Sequence, residues 1–224
     1  MQNEENITIN DLTKELIESG SLKIYPWEQL IVYPVANQSQ ILIRGIKESI
    51  KSKNYICAVS LLRSLIESTM VLVYDTSIRK TDETEYYNKF LEKGRLQRWS
   101  KSKKRWENVR DEHLIRQFKT ATNLDITNIY DSTCDILHFT IQHSKLLFIK
   151  SSNGPRRFTC AIGESGPKIS QKEYAKIIKI VNNLNFIIKT QIAAAIHQKR
   201  KQNNEPFSEI AEKILSGRKI KEIK

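Results

Sequence analysis

The chain has 224 residues, which is enough for one large domain with a buried core. It contains only seven glycines and five prolines, whereas folds of many short strands need turn residues about every 8–12 positions. The composition therefore excludes sandwiches and barrels and favours long helices. Lysine and arginine number 37 against 25 acidic residues, and the net charge of +12 favours a polyanionic partner, nucleic acid before an acidic membrane.

The surplus positive charge is concentrated in two segments. Residues 93–119 carry ten lysines and arginines against three acidic residues, and residues 199–224 carry eight against four. The rest of the chain is almost neutral. A polyanionic partner is therefore expected to meet one or both of these segments.

The cysteines and the N-terminal residues indicate the cellular compartment of the protein. Cys57, Cys134 and Cys160 form no CxxC pair, which is typical of free thiols in a reducing cytoplasm. The first ten residues lack the basic and apolar regions of a signal peptide, and no uninterrupted apolar stretch is long enough to span a membrane. We therefore expect a cytoplasmic protein without a membrane partner.

The first 54 residues predict two helices and a connector. Asn10 is suited to cap a short helix over residues 11–19. Residues 21–36 contain two prolines among aromatic and aliphatic side chains, and predict an extended, partly buried connector. Asn37 followed by Gln40 resembles a capping box and predicts that the next helix begins there.

Residues 55–78 form the most regular helical pattern of the front half. Aliphatic side chains recur at three- and four-residue spacing along one face. A second stripe lies opposite them and consists of Arg63, Glu67, Met70 and Tyr74, so this helix could be covered on both sides. Arg63 and Glu67 either form an ordinary i,i+4 ion pair or belong to a functional face.

A short helix over residues 85–93 leads into the basic segment. Trp99 and Trp106 are seven residues apart, which places them on similar faces of a helix. This segment could hold a phosphate backbone while the indoles stack on bases, or the tryptophans could anchor the helix to the core while the lysines stay solvated. The candidate nucleic-acid-binding residues are Trp99, Lys101, Lys103, Lys104, Arg105 and Trp106.

The second half predicts three helices and a hairpin. A helix over residues 125–149 is followed by apolar runs at 146–150 and 157–162, which flank an Asn-Gly turn signal and indicate a small β-hairpin. Ser170 with Glu173 forms a capping box that opens the longest helix, to about residue 199. A last short helix follows over residues 206–214.

These elements predict an all-α bundle of about five main helices with a small β-hairpin before the last long helix. We expect an N-terminal helix and connector in residues 1–36, the bundle in residues 37–203, and a short helix with a basic tail in residues 204–224.

Standard catalytic and cofactor motifs are missing from the sequence. There is no P-loop, HExxH or GxSxG motif, and we expect no cofactor. Cys134 and His138 are the only sensible metal-ligand pair, and His143 points away from them on the predicted helix, so we expect no metal site. A more promising set is polar and comes from two helices. If the two faces meet, a guanidinium, carboxylates and an imidazole could cleave RNA through its 2′-hydroxyl without metal. This set is Arg63, Glu67, Asp131 and His138.

Two short motifs resemble those of bacterial HEPN-like proteins. Residues 58–67 contain an LLR-x-x-x-E element, and Tyr130 followed by Cys134 and His138 is similar to a later Y-x-x-L-(S/C)-x-x-x-H element. The resemblance covers roughly residues 37–198. It implies a four- or five-helix bundle, often a homodimer, that acts on RNA in defence or toxin–antitoxin systems, with a partner protein from such a system. Through this resemblance, the candidate catalytic residues are Arg63, Glu67, Tyr130 and His138.

One feature of active HEPN-like proteins is missing. They carry Arg-(x)4–6-His, and no arginine and histidine here have that spacing. Two hypotheses therefore stay open. The protein engages RNA, as a metal-independent endoribonuclease or an effector subunit, or it is a non-catalytic helical module that docks a partner protein.

Overall fold

The computed structural model describes residues 7–19, 25–78, 83–137, 148–150, 158–160 and 170–216. Eight α-helices and two separate β-hairpins lie within these ranges, which confirms the predicted all-α bundle. The helices are α1 Ile9–Glu18, α2 Tyr33–Lys51, α3 Tyr55–Ile78, α4 Glu83–Lys93, α5 Asp111–Thr122, α6 Thr127–Leu137, α7 Gln171–Gln202 and α8 Glu209–Ser216. The strands are β1 Gln97–Ser100, β2 Arg105–Asn108, β3 Phe148–Lys150 and β4 Phe158–Cys160.

The N-terminal segment differs from the sequence-based expectation. Thr8, not Asn10, caps α1: its hydroxyl accepts from the Asp11 backbone N–H at 3.2 Å, and the Asp11 carboxylate accepts from the Thr8 N–H at 2.8 Å. These hydrogen bonds from Thr8 hold the pKa of Asp11 below its usual value. The true cap lies two residues before the predicted one.

The predicted extended connector is wrong for residues 26–36, which are helical. A π-helical segment, Glu28–Val32, runs directly into α2, so Asn37 lies inside a helix and caps nothing. Pro26 begins this helical stretch, where a missing N–H costs nothing and the fixed φ suits the helix. Pro34 lies where the π-helical segment meets α2. Neither proline prevents the helical form.

Helix α3 is the central helix of the bundle. It packs against α2 on one side, α7 on another, and α5 and α6 on a third. Gly45 of α2 allows a close approach, since a Cβ there would lie 2.9 Å from Leu61 Cδ1. The opposite stripe is covered as well, because Arg63, Met70 and Tyr74 are all buried. The prediction of a helix covered on two sides is confirmed.

Helix α7 packs against both the first helix, α1, and the last, α8. Its predicted Ser170–Glu173 capping box is present. Near its other end, fully buried Lys199 lies 3.1 Å from Glu28 Oε2 and donates to the Leu16 carbonyl of α1 at 3.0 Å. Helix α8 begins three residues later than predicted, because the Ser208 hydroxyl accepts from the Ala211 N–H at 3.0 Å.

The hairpins give one confirmation and one correction. Strands β3 and β4 pair antiparallel where the Asn-Gly signal predicts a hairpin. The helix expected across Trp99 and Trp106 is instead the β1–β2 hairpin, which turns through residues 101–104 with Lys104 at φ 49°. A seven-residue spacing fits a helix face, but it also places two residues opposite each other across a hairpin.

The predicted helix over residues 125–149 is only partly described. Helix α6 begins at Thr127, whose backbone N–H and hydroxyl donate to Asp125 Oδ1 at 3.0 and 2.7 Å. The prediction beyond Leu137 lies outside the described residues, apart from β3.

We predict that Lys199→Met lowers the free energy of unfolding by about 3–5 kcal/mol, because it leaves the Glu28 carboxylate buried without a counter-charge. The double variant Lys199→Met, Glu28→Gln should have a smaller decrease in the free energy of unfolding than the single variant. Urea denaturation followed by circular dichroism measures both.

The control is Lys51→Met, which removes the solvent-exposed pair with Glu48. It should change stability by less than about 1 kcal/mol. Equal effects of Lys199→Met and Lys51→Met would contradict the assigned role of the buried pair.

Candidate functional site

Arg63 is the centre of a polar cluster on the covered side of α3. Its side chain is only 10% exposed. Its Nε donates to Glu67 Oε1 at 2.9 Å, and its Nη1 donates to the backbone oxygen of Tyr130 at 3.3 Å. Its guanidinium carbon lies 3.1 Å from the centroid of the Tyr130 ring. Arg63 therefore contacts two of the other predicted catalytic residues, Glu67 and Tyr130.

Asp111, which the sequence analysis did not select, completes this cluster. The Tyr130 hydroxyl donates to Asp111 Oδ2, and Arg63 Nη2 lies 3.8 Å from the same oxygen. Burial, with this hydrogen bond, raises the pKa of Tyr130 well above its usual value. Asp111 lies in the first turn of α5, where the helix dipole favours a carboxylate. The cluster thus joins α3, α5 and α6.

The contacts of Arg63 give it a bracing role in this structure. One guanidinium face covers the Tyr130 ring, and two carboxylates, Glu67 and Asp111, already lie against its nitrogens. A phosphate would have to displace these groups from a place where negative charge already exceeds positive. The predicted i,i+4 pair of Arg63 and Glu67 is present, and a catalytic role for these residues stays a prediction.

His138 lies outside the described residues, so the structure does not place it relative to this cluster. Asp131, in the middle of α6, is exposed. Cys134 is half-buried, and burial raises the pKa of its thiol. Within the described ranges, no group of three histidine, cysteine or acidic side chains is placed to hold a metal ion.

The β1–β2 hairpin sorts its side chains by chemistry onto two faces. Because alternate residues of a strand point to opposite faces, the directly paired Trp99 and Trp106 share one face, while paired Arg98 and Glu107 share the other. The indole rings meet edge to face, with centroids 5.9 Å apart and planes at 67°. The expectation that both tryptophans anchor the segment holds for Trp106 alone, since Trp99 is 51% exposed.

The basic segment forms a groove between the hairpin and α5, with a volume of about 770 Å³. Among the predicted nucleic-acid-binding residues, Lys103, Arg105 and Trp106 line it. Lys101 and Lys104 lie exposed in the turn of the hairpin, and Trp99 faces a neighbouring pocket. Six basic side chains and two acidic ones border the groove. The six are Lys93, Arg98, Lys103, Arg105, Arg110 and Arg116.

Glu107 moderates the charge of this groove. Its carboxylate lies 2.8 Å from Lys103, 3.6 Å from Arg105 and 3.7 Å from Arg98. The hydrogen bond from Lys103, with the nearby arginines, keeps the pKa of Glu107 below its usual value. One carboxylate therefore holds three cations together on the hairpin and leaves the groove with a net positive charge.

His113 of α5 also lines the groove, and sequence reasoning did not select it. Its ring meets Tyr74 edge to face at 5.6 Å, and its Nδ1 lies 2.9 Å from Arg116 Nη2. An arginine only donates, so Nδ1 accepts and the proton of the neutral ring is on Nε2. Burial, followed by Arg98 and Arg116, lowers the pKa of His113. The signal missed in the sequence was the position of His113 three residues before Arg116.

Comparison with protein-family models, with curated proteins and with solved structures found no match to this chain. The resemblance to HEPN-like proteins therefore stays a prediction. Among the described helices, α3 alone is long and apolar enough to cross a membrane by length and composition. Its most apolar stretch is 61% buried within the bundle, as the central helix of a core requires.

We predict that Arg63→Lys lowers the free energy of unfolding by about 1–3 kcal/mol, because an ammonium replaces neither the ring stacking nor the fork of donors. The control is Arg44→Lys at an exposed position of α2. Denaturant unfolding compares the two variants. If Arg63→Lys is as stable as Arg44→Lys, the bracing role is wrong.

Proposed function

We propose that this protein binds single-stranded RNA through the groove between the β1–β2 hairpin and α5. The observation that carries the proposal is the composition of this groove, in which six lysine and arginine side chains outnumber two carboxylates. Backbone phosphates are the ligands that such a channel attracts, and part of their affinity comes from released counterions.

The exposed tryptophan at the edge of the groove favours a single strand. Trp99 presents half of its surface to solvent beside Trp106, which lines the groove. Bases of a single strand stack on such aromatic side chains, whereas those of a duplex are already stacked on each other. A basic channel with an adjacent aromatic platform is the usual arrangement for binding single strands.

The remaining parts of the RNA hypothesis rest on the HEPN-like resemblance. These are metal-independent cleavage involving Arg63, Glu67, Tyr130 and His138, a homodimer, and work with a partner protein in a defence or toxin–antitoxin system. Incubating wild-type protein with labelled RNA in EDTA tests cleavage directly. Loss of cleavage in His138→Ala, with folding intact, would support the catalytic assignment, and intact RNA with the wild type would refute it.

The alternative is a helical module that docks a partner protein through its polar stripes. In the structure, the α3 stripe contacts α5 and α6 of the same chain, and Arg63, Met70 and Tyr74 are buried there. A surface already covered within the chain is a poor docking site, so RNA binding is the better-supported function.

We predict that Arg110→Glu with Arg116→Glu weakens binding of a labelled oligouridine at least tenfold at low salt, because two groove cations become anions. The matched control is Arg44→Glu with Lys47→Glu on α2, which makes the same charge change outside the groove. Fluorescence anisotropy measures both.

For the wild-type protein, the logarithm of the binding constant should fall with the logarithm of salt concentration with a slope of about −3, as expected for roughly four neutralised phosphates of a single strand. Equal losses in the two double variants, or wild-type binding that does not respond to salt, would refute the groove as the binding site.

We also predict that RNA binding strengthens about three- to tenfold when the pH falls from about 7.5 to 5.5. His113 is neutral at the higher pH because its pKa is lowered, and phosphates in the groove raise that pKa, so binding takes up a proton. The affinity for RNA therefore rises as the pH falls towards the pKa that His113 has in the RNA-free protein.

Anisotropy titrations at constant ionic strength test this. His113→Gln should bind equally at both pH values, whereas His197→Gln, outside the groove, should keep the dependence. If His113→Gln retains the pH dependence, another group is responsible.

A further inference from the structure

A second pocket, with a volume of about 450 Å³, adjoins the basic groove across strand β1. This volume lies in the range of roughly 300–1,000 Å³ that small-molecule sites occupy. Four of its eight lining residues are aromatic, and three residues, Gln97, Arg98 and Trp106, border both the pocket and the groove. An RNA strand held by its phosphates in the groove therefore has a pocket for one base directly beside it.

The aromatic side chains provide a corner for a flat ligand. The exposed ring of Trp99 is one wall, and Trp106 meets it at 67° as the second. Tyr74 and Tyr86, which are both buried, also line the pocket, as does Ile78. A base stacked on Trp99 would have its edge directed along the surface of Trp106 towards the polar groups of the pocket.

Glu85 is the acidic residue in the lining of this pocket. The Trp106 indole N–H donates to its Oε1 at 3.0 Å, which holds the carboxylate in place. Within the described residues, no group bonds to Oε2. A carboxylate has about four acceptor positions, so both oxygens keep capacity for a ligand.

The chemistry of Glu85 selects among the four bases. A carboxylate accepts hydrogen bonds only, and guanine alone presents two adjacent donors, N1–H and the 2-amino group, on its Watson–Crick edge. Adenine and cytosine place an acceptor nitrogen next to their amino group, and that nitrogen would face the carboxylate. Uracil has a single N–H between two carbonyls. A small organic cation would fit the aromatic walls, but Arg98 lines the same pocket and would repel it.

We infer that this aromatic pocket, defined by Glu85, Trp99 and Trp106, binds one guanine base of the RNA strand that the groove holds. The inference rests on the proposed function, because the groove supplies the phosphate contacts. Trp99 stacks on the base and Glu85 accepts from N1–H and the 2-amino group. The protein thus prefers guanosine at one position of a bound strand and tolerates other bases elsewhere.

The test compares a labelled oligouridine of nine nucleotides with the same strand carrying one central guanosine or one central inosine, which lacks the 2-amino group. We expect wild-type protein to bind the guanosine strand about tenfold tighter than oligouridine, as for other bidentate base contacts. The strand with inosine should bind only slightly tighter than oligouridine. Fluorescence anisotropy at one low salt concentration gives all three affinities.

Two variants assign the preference to the pocket. Glu85→Gln should bring the affinities for the guanosine strand and for oligouridine close to each other, while the matched change Glu212→Gln on α8 should keep them about tenfold apart. Trp99→Ala, at a half-exposed position, should weaken binding of the guanosine strand more than that of oligouridine. Thermal unfolding of each variant verifies its fold.

The outcomes separate this inference from the proposed function. If wild-type protein binds all three strands equally, or if Glu85→Gln and Trp99→Ala both keep the preference, the guanine pocket is wrong while salt-dependent binding in the groove stands. If no strand binds, or if Arg110→Glu with Arg116→Glu leaves binding unchanged, the proposed function itself fails.

Discussion

The guanidinium of Arg63 is the interaction on which the candidate site depends. It brings a buried helix, α3, into contact with two others through Tyr130 and Asp111. Asp111 begins α5, and His113 and Arg116 on the same helix form one wall of the basic groove. Arg63, a candidate catalytic residue from the sequence, thus helps in this structure to position the helix that carries other basic residues.

The second constraint is the two-residue period of the β1–β2 hairpin. The period separates aromatic from charged side chains, so that a basic segment of mixed composition produces one aromatic face and one ionic face. Glu107 on the ionic face holds three cations close together, and Glu85 binds Trp106 on the aromatic face. Each carboxylate thus orders one side of the proposed RNA site, and neither role is visible without the strand pairing.

Several elements could be predicted because their signals are local. The signals are the apolar repeat of α3, the Ser170–Glu173 capping box of α7 and the Asn-Gly dipeptide in the sequence between β3 and β4, and each acts within a few residues. The wrong predictions arose where tertiary packing outweighed local signals. Trp27 and Glu28 are fully buried, and the core and the Lys199 ammonium that receive them come from distant parts of the chain. The helical form of that segment could not be deduced from its prolines.

The sequence by itself determined the helical class, the central and longest helices, and the concentration of positive charge in residues 93–119, because composition and periodicity act through local backbone preferences. It also identified Arg63, Glu67 and Tyr130 as related residues. Only the tertiary structure decided what these groups contact. The packing of the helices buries the Arg63 side chain, brings Asp111 against it, and places His113 with four arginines around one groove. Distances between side chains far apart in the chain depend on how helices pack, and packing is a property of the whole core.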